Sequence, residues 1–125
     1  MSGAAVVDAS VVIAWQDAGH PRHREAKDLL EAWGPDFAMH KLNLAEVLVG
    51  LDESDWSPFI ELLRQVGFQF QSTGPEQLAR ARQQTGLKMP DACSLALSRA
   101  KRATALLSFD QRLTAAAQAD GLATG

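Results

Sequence analysis

The run Ala4-Ala5-Val6-Val7 reaches Asp8 without a polar interruption, and no other stretch constrains the fold as much. Small and β-branched residues in so short a run, ended by an acid and followed by a helical pattern, describe a strand buried on both faces. Thr104–Phe109 repeats the design before Asp110. Asp36–His40 and Phe68–Gln71 read as two further strands, and Leu122–Thr124 as a short last one. Helical patterns fill the intervals. Ser10–Trp15 is broken by His20-Pro21, Arg22–Trp33 ends at Gly34-Pro35, and Leu42–Leu51 is apolar on nearly every side. Trp56–Val66 closes at Gly67, and Pro75–Thr85 has proline at its start and Gly86 at its end. Pro90–Arg102 and a segment from Asp110 to about Ala119 complete the series. Strands alternating with helices predict an α/β fold, a parallel sheet of four to five strands flanked by helices on both faces.

A chain of 125 residues, 46% of them apolar, fits one domain over residues 1–125 and is too apolar for a disordered one. Cys93 has no cysteine partner, which fits a reducing cytoplasm. Asp8 interrupts the apolar N-terminal stretch and no basic segment precedes it, so neither a signal peptide nor a membrane span is expected. The net charge of −3 argues against a nucleic-acid partner, but neutralising four acids with metal would turn it to +1. Arg80, Arg82, Lys88, Arg99, Lys101 and Arg102 would then form a basic region around Asp91. Arg22, His23, Arg24 and Lys27 form a second basic run. Taken alone, either run is more simply read as a solvated helix face.

Parallel sheets bind ligands beyond the carboxyl ends of their strands, where the strand order reverses. Asp8 and Asp110 stand at two such ends, 102 residues apart in sequence. Each is also explained locally as a helix N-cap. Ser10 beside Asp8, and Ser108 beside Asp110, are placed to orient these carboxylates or a metal-bound water. Glu46 lies in the apolar helix, where partial burial is expected, and a buried carboxylate needs a cation or dense hydrogen bonding. Asn43, one turn earlier, can bond Glu46 or touch substrate. Asp91 follows Pro90 in the first turn of its helix, where the helix dipole alone would favour it. Cys93 lies off Asp91's face and reads as core. Four acids of this kind suit a hard cation, Mg²⁺ or Mn²⁺. His20, His23 and His40 lack zinc-site spacing.

The segments VVDASVVIAW, LNLAEVLVGL, KMPDACSLALSRA and ALLSFDQRL resemble, in order, the four acidic motifs of PIN domains. The likeness runs from about Ala4 to Thr124 and is strongest to VapC-type toxin ribonucleases of bacterial toxin–antitoxin pairs. It implies a PIN fold, divalent metal, RNA as substrate, a homodimer and a small VapB-type antitoxin. By the same resemblance Asp8, Glu46, Asp91 and Asp110 are the metal-binding and catalytic acids, supported by Ser10, Asn43 and Ser108. The family more often has threonine where this chain has Ser108, a change that keeps the hydroxyl. The chemistry then expected is metal-assisted hydrolysis of a phosphodiester. A PIN nuclease that processes RNA outside a toxin–antitoxin pair is one alternative, and an idle PIN scaffold another. A flavodoxin-like phosphoacceptor or binding domain is a third, but it would need an acid pair near the first strand and a lysine after a late one. Asp8 stands alone, and Ser108–Leu113 contains no lysine.

Overall fold

The computed structural model describes residues 3–125. Its elements follow in the order β1 (Ala5–Val7), α1 (Ala9–Gln16), α2 (His23–Trp33), β2 (Phe37–His40), α3 (Lys41–Val49) and α4 (Glu53–Val66). They continue with β3 (Phe68–Gln71), α5 (Pro75–Thr85), α6 (Met89–Lys101), β4 (Ala105–Leu107) and α7 (Gln111–Ala119). The strands form one sheet in the order β3-β2-β1-β4, and every pairing is parallel. β1 is central, with Val6 opposite Ala38 of β2 and Leu106 of β4. All three of its residues are fully buried, as its unbroken apolar run requires.

Alternation along the strands divides the core into two layers. Ala5, Val7, Phe37, Met39, Ala105 and Leu107 face the residues of α1 to α4. Val6, Ala38 and Leu106 face those of α5, α6 and α7. The chain order explains the segregation. Growth from β1 to β2 to β3 carries its crossovers over one face, and the return to β4 on the far side of β1 carries α5 and α6 over the other. A fixed hand of crossover requires that exchange when the direction reverses.

Two departures from the sequence reading exceed two residues. α4 begins at Glu53, three residues early, because Glu53 and Asp55 suit the positive helix start. The Trp56 indole also donates to the carbonyls of Leu48 and Leu51, 2.8 and 3.1 Å away, tying that start to the end of α3. Leu122–Thr124 is not a strand. Only an isolated parallel bridge joins Ala123 to Ala105, held by Leu106 N–H to Ala123 O at 2.9 Å and Ala123 N–H to Thr104 O at 3.1 Å.

Candidate active site

The chain leaves β1 towards β2 on one side and returns to β4 on the other, so the sheet's reversal point lies between β1 and β4. Asp8 follows β1, and Ser108 to Asp110 follow β4. The Asp8 N–H donates to the Leu107 carbonyl at 2.9 Å, which locks the two strand ends together.

Asp8 is 4% exposed and occupies the N-cap position of α1, yet its side chain makes no capping bond. Its Oδ2 accepts from Ser10 Oγ and from Ser108 Oγ, each at 2.9 Å. Each hydroxyl is anchored in turn. Ser10 Oγ accepts the Phe109 N–H and Ser108 Oγ accepts the Asp110 N–H, both at 3.0 Å. Two donors on one oxygen fix the carboxylate, and no donor among the described residues reaches its other oxygen. Ser108 therefore serves Asp8 as a donor and not the carboxylate of Asp110, a correction to the pairing read from sequence. The local turn directs its hydroxyl across to β1. Asp110 does cap α7, its Oδ1 accepting the Leu113 N–H at 2.9 Å.

Asn43 is fully buried and joins two helices from opposite faces of the sheet. Its Nδ2 donates to Glu46 Oε1 and to the Pro90 carbonyl, both at 3.0 Å, and its Oδ1 accepts from Ser94 Oγ at 2.8 Å. One amide thus positions Glu46 on α3 and the first turn of α6, which carries Asp91. Glu46 is exposed, contrary to the expectation of burial. The outer side of α3 is open, and even Val49 is 83% exposed, so an apolar helix is here not an enclosed one. Ser94 was missed in the sequence. Its only signal is a hydroxyl at a fully buried position between Cys93 and Leu95.

Asp91 is half-buried, and its carboxyl is pushed up to about 6. Burial is the largest cause. The negative charges of Asp110, Asp8 and Glu46 follow, and Arg112 opposes them. Asp91 therefore lies within electrostatic reach of the other three sequence-predicted acids. The N-termini of α1, α6 and α7 also meet there and offset part of the negative charge. Arg112, also missed, is the cation felt by Asp91. Of the proposed basic residues, Arg99 is engaged elsewhere. Arg99 lies eight residues further along α6, a rise of about 12 Å, and binds Asp120 in two bonds of 2.7 and 3.1 Å.

Among the described residues no three Asp, Glu, His or Cys side chains stand close enough to cage a metal ion by themselves. An octahedral Mg²⁺ keeps several waters and needs only one or two carboxylates directly. The donors are all oxygen, and the crowding on Asp91 is the excess of negative charge that a hard cation relieves.

The PIN-domain family model matches residues 5–119 of the chain. The chain belongs to the PIN-domain family. No curated protein matches it in sequence. Among solved structures, this PIN domain is similar to VapC20 of Mycobacterium tuberculosis, a toxin that cleaves the sarcin–ricin loop. Identity is 20%, TM-score 0.73, and coverage 90% of this chain and 94% of that one. A toxin–antitoxin complex from Klebsiella pneumoniae is 28% identical, with a TM-score of 0.70 and coverage of 85% and 86%. A Pyrobaculum aerophilum protein is 19% identical, with a TM-score of 0.59 and coverage of 90% and 83%. No helix among the described residues is long and apolar enough to cross a membrane.

Proposed function

We propose that this PIN domain, spanning residues 1–125, is the toxin endoribonuclease of a toxin–antitoxin pair, and that it hydrolyses RNA phosphodiester bonds with Mg²⁺ or Mn²⁺. The observation that carries the reading is the joint action of Asp8, Glu46 and Asp110 on Asp91 at the sheet's reversal point. Similarity to a Klebsiella toxin–antitoxin complex supports the pairing. The exposed side chains Ile13, Val49 and Leu62, on α1, α3 and α4, support burial against a VapB-type antitoxin or a second copy in a homodimer. The lone buried Cys93 supports a cytoplasmic setting.

Asp8, Glu46, Asp91 and Asp110 would hold the cation, which when bound supplies Lewis acidity and positive charge to a phosphodiester. The chain's own part is orientation. Ser10 and Ser108 hold Oδ2 of Asp8, Asn43 holds Oε1 of Glu46, and the α7 start holds Oδ1 of Asp110. Burial and neighbouring negative charge push the Asp91 carboxyl up to about 6, so holding a cation there would require it to give up its proton. Without the cation the acids repel RNA. At ~4 Å two like charges cost about 4 kcal/mol at an effective dielectric of ~20.

The test is cleavage of RNA by purified protein with Mg²⁺ or Mn²⁺. EDTA and Asp8→Asn are each expected to abolish it, and metal-independent cleavage that survives Asp8→Asn would overturn the reading. Expression alone should arrest growth, and co-expression of the cognate antitoxin should relieve it. Cleavage without growth arrest would favour an RNA-processing nuclease instead.

A further inference from the structure

Next to Ser108 lies a cleft of about 480 Å³ whose other residues the reaction above does not use. Ser108 belongs to both places. It lines the cleft and donates to Asp8 Oδ2, so the cleft adjoins the acidic site. Phe109 comes next, its backbone N–H held by the same Ser10 hydroxyl that orients Asp8. The Arg22 guanidinium carbon lies over the Phe109 ring, 3.9 Å from its centroid, and Arg22 Nη2 is paired with Glu25 at 2.5 Å. The opposite wall is one stripe of α7. Gln111, Thr114 and Gln118 recur there at helical spacing, and Leu29 contributes apolar surface.

We propose that this cleft is a nucleobase subsite, which takes a base flanking the cleaved phosphodiester and positions the RNA strand. The inference rests on the nuclease reading and names where the substrate is gripped. Three features select a base over a phosphate. The cleft's one cation already pairs with Glu25, which weakens its pull on an anion. Its polar wall is made of uncharged amide and hydroxyl groups, which pair with the donors and acceptors of a base edge. Its other wall is a guanidinium laid over an aromatic ring, the kind of planar surface on which unpaired RNA bases stack. At 3.9 Å nothing fits between Arg22 and Phe109, so the base stacks against the pair. The volume lies in the range of small-ligand pockets, roughly 300–1,000 Å³.

Two measurements test this. The first is steady-state cleavage of a single-stranded oligoribonucleotide by Arg22→Ala and Gln111→Ala. For Arg22→Ala KM should rise about tenfold with the loss of a stacking contact. For Gln111→Ala it should rise by a few-fold with the loss of a hydrogen bond to the base edge, while kcat changes little in both. Arg22→Lys should not restore KM, because lysine keeps the charge and loses the plane. Arg64→Ala, which removes a cation–π contact with Phe70, is the control and should leave both constants unchanged. The second is fluorescence of an oligonucleotide with 2-aminopurine beside the cleavage site, bound in Ca²⁺. The wild-type protein should quench it and Arg22→Ala should not. Unchanged KM and unchanged quenching in Arg22→Ala and Gln111→Ala would overturn the subsite and leave the nuclease intact. Arg22-dependent quenching without any cleavage would overturn the nuclease and leave the subsite. Unchanged RNA constants with an altered oligomeric mass would give the cleft to a protein partner and overturn the proposal.

Discussion

Asp91→Asn should stabilise the metal-free protein while destroying its response to metal. The Asp91 carboxyl lies at about 6 against an ordinary 3.8, chiefly through burial and then through Asp110, Asp8 and Glu46. Two pH units correspond to ~3 kcal/mol of preference for the neutral form. The group is only half-buried, and solvent screening reduces this to about 1 kcal/mol. The sign follows from where the proton sits. Between the unfolded and folded values the native state binds the extra proton, so stability falls as pH rises through that window. The penalty is complete above about pH 6 and absent below about pH 4, where both states are protonated. Asparagine is neutral throughout, so its advantage is largest near pH 8 and fades towards pH 4. For a chain of this size ~1 kcal/mol corresponds to about 3–5 °C in Tm. The assay is thermal unfolding of both proteins in EDTA across that range, repeated with Mg²⁺, which should raise the wild-type Tm and not the variant's. Equal melting near pH 8, or an advantage that grows towards acid, would refute mutual repulsion at this site.

Three further outcomes are expected. Mg²⁺ affinity should fall as pH drops through about 6, because Asp91 must shed a proton to bind. Calorimetry at two pH values checks this, and a pH-independent affinity would remove Asp91 from the ligands. Ser108→Ala should lower kcat by about 10–100-fold by freeing Asp8 to turn, and Ser108→Thr should restore it. A fully active alanine variant would end that role. Asn43→Ala should cost about 2–4 kcal/mol in urea unfolding, since it leaves the buried Ser94 hydroxyl and the Pro90 carbonyl without their partner. A loss below half a kcal/mol would mean that the two helices are held by packing alone.

Local chemistry made most of the fold legible. Unbroken apolar runs marked β1 and β4, and Gly67, Gly86 and the prolines at 75 and 90 punctuated the helices where the chain turns. Strand order was not legible, because pairing joins segments about 100 residues apart and leaves no local trace. The four acids were recognisable as a set, yet their environments were not. Glu46 looked buried because its helix is apolar, but exposure depends on what packs outside the helix. The partnership of Ser108 with Asp8 and the role of Ser94 needed the third dimension. Arg99 clustered with other basic residues in sequence, whereas the helix axis carries it away from Asp91.

The Ala105–Ala123 bridge has a practical side. β4 is an edge strand, and the tail residues 122–124 lie along it and occupy its backbone groups at Thr104 and Leu106. Trimming the tail would leave three fully buried apolar residues beside an unpaired ladder edge, a template for joining another chain. Shortened versions ending before Leu122 should therefore lose yield to aggregation before they lose secondary structure. A purification tag belongs at the N-terminus, or beyond Gly125 with a spacer long enough to leave Ala123 in its place.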